Sequence, residues 1–297
     1  MRYFSLIMFV FTSFCGSANA IPWTTLDYPN ANWTSVRGIS GSNLVGSYSD
    51  SADEPHRGFF YDGSTWTALD YPEADKTKVH GLDGNNIVGT YIDYSSGDGS
   101  FLYDGTVWSS LDFTGTRIFD ISGDALVGTY WNDSRHGFYY SGTDWITLDY
   151  PGSTSTFIRG IDDAGLVGWY FSDAGDEHGF FYDGSLWEQL DYPGSSATVI
   201  ESIDGGNMVG YYSWGSSYHR HGFLYDGTNW HTFNFPGAES TMIYDIDGDR
   251  IVGEYEDGNG SRHGFVATIP EPGTVLLVGL GGLAVIRKRK RAERQKQ

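Results

Sequence analysis

Trp23, Trp66, Trp108, Trp145, Trp187 and Trp230 stand 43, 42, 37, 42 and 43 residues apart. A second column keeps the same beat: Gly46, Gly89, Gly128, Gly168, Gly210 and Gly253, each in a phrase such as "LVGSY" or "IVGTY". A period of about 42 belongs to β-propeller blades or to two-helix solenoid repeats. Composition separates the two. The units are dense in Gly, Asp, Tyr and β-branched residues, and none carries the i, i+3, i+4 apolar stripe of an amphipathic helix. The repeat is made of strands.

Four strands fit each period. In the second full unit they are predicted at 78–83, 86–93, 100–105 and 107–113. Two connections are tight. "DGNN" joins the first pair, and Asp-Gly plus two residues, as in "YDGSTW", joins the last. Such pairs supply the positive φ that short hairpins need.

Six four-stranded units predict an all-β, six-bladed propeller over residues 21–269. The last unit stops after its third strand, "HGFVATIP", whereas "WTTLDYP" at the start is a fourth strand with no unit before it. Pairing 23–28 with 263–268 completes the last blade, closes the ring and removes exposed strand edges.

Within each unit a triplet opens the third strand: His136-Gly137-Phe138, His178-Gly179-Phe180, His221-Gly222-Phe223 and His263-Gly264-Phe265. Together with phrases such as "RGIDDAGLVGWYFSDAGDEHGFFYDG" and "LDYPG", it resembles the HAF-type extracellular repeats. Arg57-Gly58-Phe59 and Gly99-Ser100-Phe101 depart from the triplet. The resemblance spans 23–269 and implies a secreted repeat protein, without an assigned reaction.

The ends carry addresses. Residues 1–20 read as a signal peptide for signal peptidase: Arg2, an apolar run, then Ala18-Asn19-Ala20. The only cysteine, Cys15, lies inside that segment, so no disulfide or thiolate chemistry is expected of the mature chain. Pro270-Glu271-Pro272 precedes an apolar run over 274–286 and the basic cluster 287–291. Segment 270–297 resembles the PEP-CTERM sorting signal of Gram-negative bacteria. That resemblance implies recognition by an exosortase, a short transmembrane helix as transient inner-membrane anchor, and export to the cell surface or extracellular matrix.

Residues 21–269 hold 10 Lys+Arg against 36 Asp+Glu, a net charge of 10 − 36 = −26. That field repels nucleic acid and attracts cations. Weak, diffuse Ca²⁺ binding is expected, but no other cofactor and no metal centre. "DIDGDR" (245–250) and "EDGNG" (256–260) only partly match calcium loops. The repeated histidines are expected to be structural, each bonded to the loop before it, and the columns Tyr48, Tyr91, Tyr130, Tyr170, Tyr212 and Tyr255 to pack blade on blade. The glycine two residues before each of these tyrosines is expected to admit a neighbour's ring.

Packing residues repeat, whereas a specific site must break the repeat. One first-strand position reads Arg37, His80, Phe119, Arg159, Glu201 and Tyr244 in turn, and loops after the second strand carry Tyr94, Trp131, Trp214 and Tyr218. The expected ligand site is therefore Arg37, His80, Arg159, Glu201, Tyr244, Trp131, Trp214 and Tyr218, on one face near the central channel. No nucleophile–base motif stands out. The favoured function is a non-catalytic module binding surface polysaccharide, protein or calcium. The alternative is a carbohydrate-active hydrolase or lyase using Glu201 and His80.

Overall fold

Gly41 (φ 57°) and Gly63 (φ 93°) turn the first blade's two hairpins in the left-handed region that glycine tolerates. Asp62 Oδ1 stitches the second turn by accepting from the Ser64 and Thr65 N–H groups at 2.8 and 2.7 Å. The computed structural model describes residues 21–269 apart from 52–55, 96, 112–114 and 216–218. Its strands form six antiparallel four-stranded blades. Five are continuous in sequence, over 33–68, 76–110, 117–147, 155–189 and 197–232; the sixth joins 240–268 to Trp23–Thr25.

The first strands of neighbouring blades pack on one another in a closed circuit, and blade six returns to blade one. They are therefore the innermost strands. Closure is by backbone ladder: Trp23 opposes Ala267, Thr24 opposes Val266 and Thr25 opposes Phe265. The Leu26 N–H continues it, donating to the Gly264 carbonyl at 2.8 Å.

The second strand of the second unit, Asn86–Asp93, lies where the sequence puts it. The fourth strands are shorter than predicted, Trp108–Ser110 against 107–113. Blade one shows why. Beyond Ala68, Leu69 N–H bonds the Gly58 carbonyl, and Asp70 Oδ1 accepts the Gly58 N–H at 3.1 Å. A side chain thus replaces the ladder, and the backbone turns away.

This aspartate also meets the repeated histidine. His136 Nδ1 reaches Asp149, His178 reaches Asp191 and His263 reaches Asp27 at 2.7–2.8 Å. The partner differs from expectation: it lies at the end of the fourth strand, although His136 also touches the preceding loop through Asn132 and Asp133, and His263 pairs with Asp257 of its preceding loop at 3.8 Å. Blade five has Asn234 instead, whose Nδ2 donates to His221 Nδ1 at 3.1 Å.

The second-strand tyrosines join blades. Tyr28 stacks on Tyr48, Tyr71 on Tyr91, Tyr150 on Tyr170, Tyr192 on Tyr212 and Phe235 on Tyr255, with centroids 3.6–4.1 Å apart. The glycine before them serves the blade's own core rather than a neighbour: a Cβ on Gly46 would lie 2.0 Å from the Ser35 carbonyl and 2.8 Å from the Phe59 ring. Five of the six blade interfaces then show an apolar cluster among the described residues; Tyr48, Phe59 and Val36 pack with Leu26, Tyr28 and Trp66 at the closure.

The expected transmembrane helix is corrected. No helix among the described residues is long and apolar enough to cross a membrane. The thirteen residues of 274–286 would span about 20 Å as a helix, against a hydrocarbon core of about 30 Å. That run, Pro270, Glu271 and Pro272, the leader with Cys15, and Tyr218 lie outside the described residues.

Candidate functional site

Every innermost strand carries a β-bulge at the same place. In blade one Val36 pairs with Gly46 and Gly38 with Val45, which leaves Arg37 unpaired between them. The same shift leaves His80, Phe119, Arg159, Glu201 and Tyr244 unpaired. A bulge bends its strand and re-aims the extra side chain. The six variable positions are thus the six bulge residues.

All six line one small cavity of about 20 Å³, room for roughly one water molecule. They fill the axis by stacking on each other. The Arg37 guanidinium lies 3.9 Å from the Tyr244 ring centroid and that of Arg159 4.0 Å from Phe119. The His80 ring meets Phe119 edge-on at 5.3 Å. Arg159 Nε stands 3.6 Å from Glu201 Oε2, and Glu201 is only 7% exposed. The ring forms a plug.

Directly after each bulge stand Gly38, Gly81, Asp120, Gly160, Ser202 and Asp245. The two aspartates bind blades together. Asp245 accepts from Ser202 Oγ at 2.5 Å and from the Ile39 N–H at 2.7 Å; Asp120 accepts from the Ile161 N–H at 3.0 Å. Burial pushes Asp245 up to about 7, and burial with the charge of Asp245 holds Asp120 well above the carboxylate range. Sequence reasoning passed over Asp120 and weighed Asp245 only as part of a partial calcium loop, although an Asp where other blades keep Gly or Ser was a visible signal.

Above the plug, over blades one to four, opens a cavity of about 490 Å³. Arg37, His80, Phe119 and Arg159 contribute to its floor, and Lys76, Lys78, Arg117 and Arg135 to its walls. Lys76, Lys78 and His80 alternate with buried Thr77 and Val79, so strand periodicity puts all three on the cavity side. Trp131, 55% exposed, stands at the rim with the Arg135 guanidinium 5.2 Å from its ring. Tyr94, also exposed, faces Lys76 at 6.0 Å. Asp98 is the one carboxylate on the cavity wall among the described residues.

The field here is positive. Burial, then Arg37, Arg159, Lys78 and Arg117, drives His80 well below the imidazole range. A neutral His80 ring sits 3.1 Å from the Thr90 hydroxyl. Burial and then Arg117 lower Arg135.

Not every expected site residue joins this cavity. Glu201 and Tyr244 face only the plug. Trp214 packs edge-on against Tyr212 at 4.8 Å and beside His221 at 5.0 Å, away from the funnel. No group of three or more His, Cys, Asp or Glu suited to a metal ion occurs among the described residues. In "DIDGDR" two of the three carboxylates are occupied by backbone donors, Asp245 by Ile39 and Asp247 by Gly41.

Residues 268–291 match the PEP-CTERM protein-sorting motif. The chain carries an exosortase address. That motif implies exosortase involvement and directs export to the cell surface or extracellular matrix. Among curated proteins, none matches this chain. Solved structures do. The Aleuria aurantia lectin in complex with Fucα1-6GlcNAc superposes with TM-score 0.53 at 13% identity, covering 84% of this chain and 99% of the lectin. The β-propeller domain of the Trilobed protease from Pyrococcus furiosus gives 0.51 at 9% identity, covering 79% and 94%. Pyrococcus horikoshii acylaminoacyl peptidase gives 0.51 at 10% identity, covering 84% and 54%. At these identities the likeness establishes the propeller fold.

Proposed function

We propose that this chain is an exported, non-catalytic binding module that holds extracellular polysaccharide in the funnel over blades one to four. One observation carries the reading: a cavity of about 490 Å³ whose rim offers the exposed Trp131 face and whose wall holds, among the described residues, a single carboxylate, Asp98. The volume falls within the range of about 300–1,000 Å³ usual for small-ligand sites. Glycoside hydrolysis ordinarily needs two carboxylates flanking the bond. The alternative pair offers one, because Glu201 is buried in the plug against Arg159 and His80 is not a carboxylate. A saccharide-bound lectin of the same fold supports the class of ligand.

In this reading residues 21–269 form the binding domain, between a leader removed by signal peptidase and the sorting segment 270–297. Its repeats are of the HAF type, and its acidic exterior takes up Ca²⁺ weakly. A glycan array probed with the full chain tests the binding. Trp131→Ala should abolish the signal without lowering the melting temperature. Binding that survives this change would place the ligand elsewhere, and turnover of a bound glycan would overturn the non-catalytic reading.

A further inference from the structure

Directly above the bulges, each blade's wall is set by two residues: the one two places before the bulge and its partner on the second strand. They are Phe157 and Trp169 in blade four, Val199 and Tyr211 in blade five, and Met242 and Glu254 in blade six. Blade four fills its own space, since the Phe157 and Trp169 rings stack at 4.0 Å. Blade six is filled by Arg262, which reaches Glu254 at 3.1 Å and lies 4.6 Å from the Trp33 ring. Blade five is not filled. Ala197 and Val199 stand where blade two has Lys76 and Lys78, and a cavity of about 340 Å³ remains between blades four and five. It shares no lining residue with the funnel.

Both walls of this cleft are anchored. Glu177 opens the third strand of blade four and pairs through its backbone with Ala197 of blade five. Arg220 is clamped by blade six: its N–H donates to Ser240 Oγ at 3.1 Å, and its carbonyl accepts the Thr241 N–H at 2.8 Å. Its guanidinium lies 5.0 Å from the Tyr211 ring and 3.0 Å from the Met242 sulfur. Glu177 and Arg220 line the same cavity without forming an ion pair, and among the described residues no hydrogen bond reaches the half-buried Glu177 carboxylate. Burial raises Glu177, and Arg220 offsets part of that rise. A carboxylate left in this state works against the fold, and such groups in a cleft mark binding sites.

Resting on the saccharide reading above for its class of ligand, we infer that this cleft is a second and weaker contact, which takes one neutral sugar ring of the chain held in the funnel. Glu177 accepts a hydrogen bond from one sugar hydroxyl, Arg220 donates to another, and the apolar edge of the ring meets Ala197 and Val199. Asp176 and Glu177 against Arg220 leave the cleft net negative, which disfavours an acidic residue. The volume suits a single ring, near the lower end of the range of about 300–1,000 Å³ for small-ligand sites. Cleft and funnel use the same register positions of different blades, so they open on one face of the propeller. One polysaccharide of sufficient length meets both. The second contact is then intramolecular, and it strengthens binding without holding a glycan alone.

The test is calorimetric titration of the full chain with neutral gluco-, manno- and galacto-oligosaccharides, each from disaccharide to dodecasaccharide. Val199→Phe closes the cleft with the residue type that blade four already packs at the equivalent position. Glu177→Ala removes the acceptor and, because burial disfavours that carboxylate, should not lower the melting temperature. The longest chains should bind the unaltered protein about tenfold tighter than either variant, whereas the shortest should bind all three alike. Equal length dependence in all three would overturn the cleft and leave the funnel reading intact. Loss of short-chain binding in the variants would make the cleft the primary site and overturn the funnel. No binding at any length would sink both. A uronate series that loses as much as the neutral one in Val199→Phe would overturn the neutral assignment.

Discussion

Asp27 Oδ2 accepts a hydrogen bond from His263 Nδ1 at 2.8 Å, joining residues 236 apart in the chain, while Asp27 Oδ1 takes the Gly264 N–H at 3.2 Å. Blades three and four make the equivalent contact within themselves, His136 and Gly137 to Asp149 and His178 and Gly179 to Asp191. Here it spans the ends of the domain and holds the ring shut.

Deleting 21–29 should therefore open the last blade and lower the melting temperature sharply. A gentler test is Gly264→Ala. The added Cβ would lie 2.5 Å from the Leu26 carbonyl and 2.8 Å from Val36 Cγ2, overpacking worth about 1–3 kcal/mol. Thermal unfolding that matches the unaltered protein in both variants would refute closure by this strand.

The plug predicts an asymmetry. Arg159→Met leaves the buried Glu201 carboxylate without its cation and should cost about 3 kcal/mol. Adding Glu201→Gln removes the orphaned charge and should recover most of that loss in chemical denaturation. Additive losses in the double variant would mean that the pair does not interact.

Stability should depend on pH through the channel carboxylates. Asp245 is pushed up to about 7 by burial, far above an unfolded carboxylate near 3.9, and Asp120 is raised as well. The folded state then binds more protons than the unfolded state between those values, so stability falls as pH rises from about 4 through 7. His136, raised by Asp149, adds stability below its unfolded pKa that is lost as pH rises through its folded one. The turn aspartates 62, 104, 183 and 257 are lowered by their hydrogen bonds, so they act oppositely at the acid edge. His80 and His221, both lowered by burial, oppose that fall below about pH 6.5, so the decline in melting temperature should be clearest between about pH 6.5 and pH 8. Asp245→Asn should flatten that decline while losing the acceptor for Ile39; an unchanged slope would exclude Asp245 as its source.

The aromatic residues separate into two kinds. Trp230 packs on Phe223 and Tyr225 at 4.9 and 4.6 Å, and Trp230→Ala should cost about 3 kcal/mol of stability. Trp131→Ala should leave thermal melting within experimental error. A comparable loss from both would make Trp131 a core residue.

The repeat made blade number, strand order and closure legible, because identical packing at every interface demands the same residue types at a fixed period. The column Arg37, His80, Phe119, Arg159, Glu201 and Tyr244 was legible for the converse reason: it varies where packing repeats. Its meaning was not. The bulge that turns those side chains onto the axis is set by register between two strands, and Arg37 gives no local sign that Tyr244 will lie beneath it. Nor does the gathering of Lys76, Lys78, Arg117 and Arg135 show in a chain whose summed charge is strongly negative. Sequence by itself determined a closed ring of six blades, since period and composition act locally. Only the tertiary structure decided that the axis is plugged and the funnel above it positive, because both depend on which side chains the closed ring brings within a few ångströms of each other.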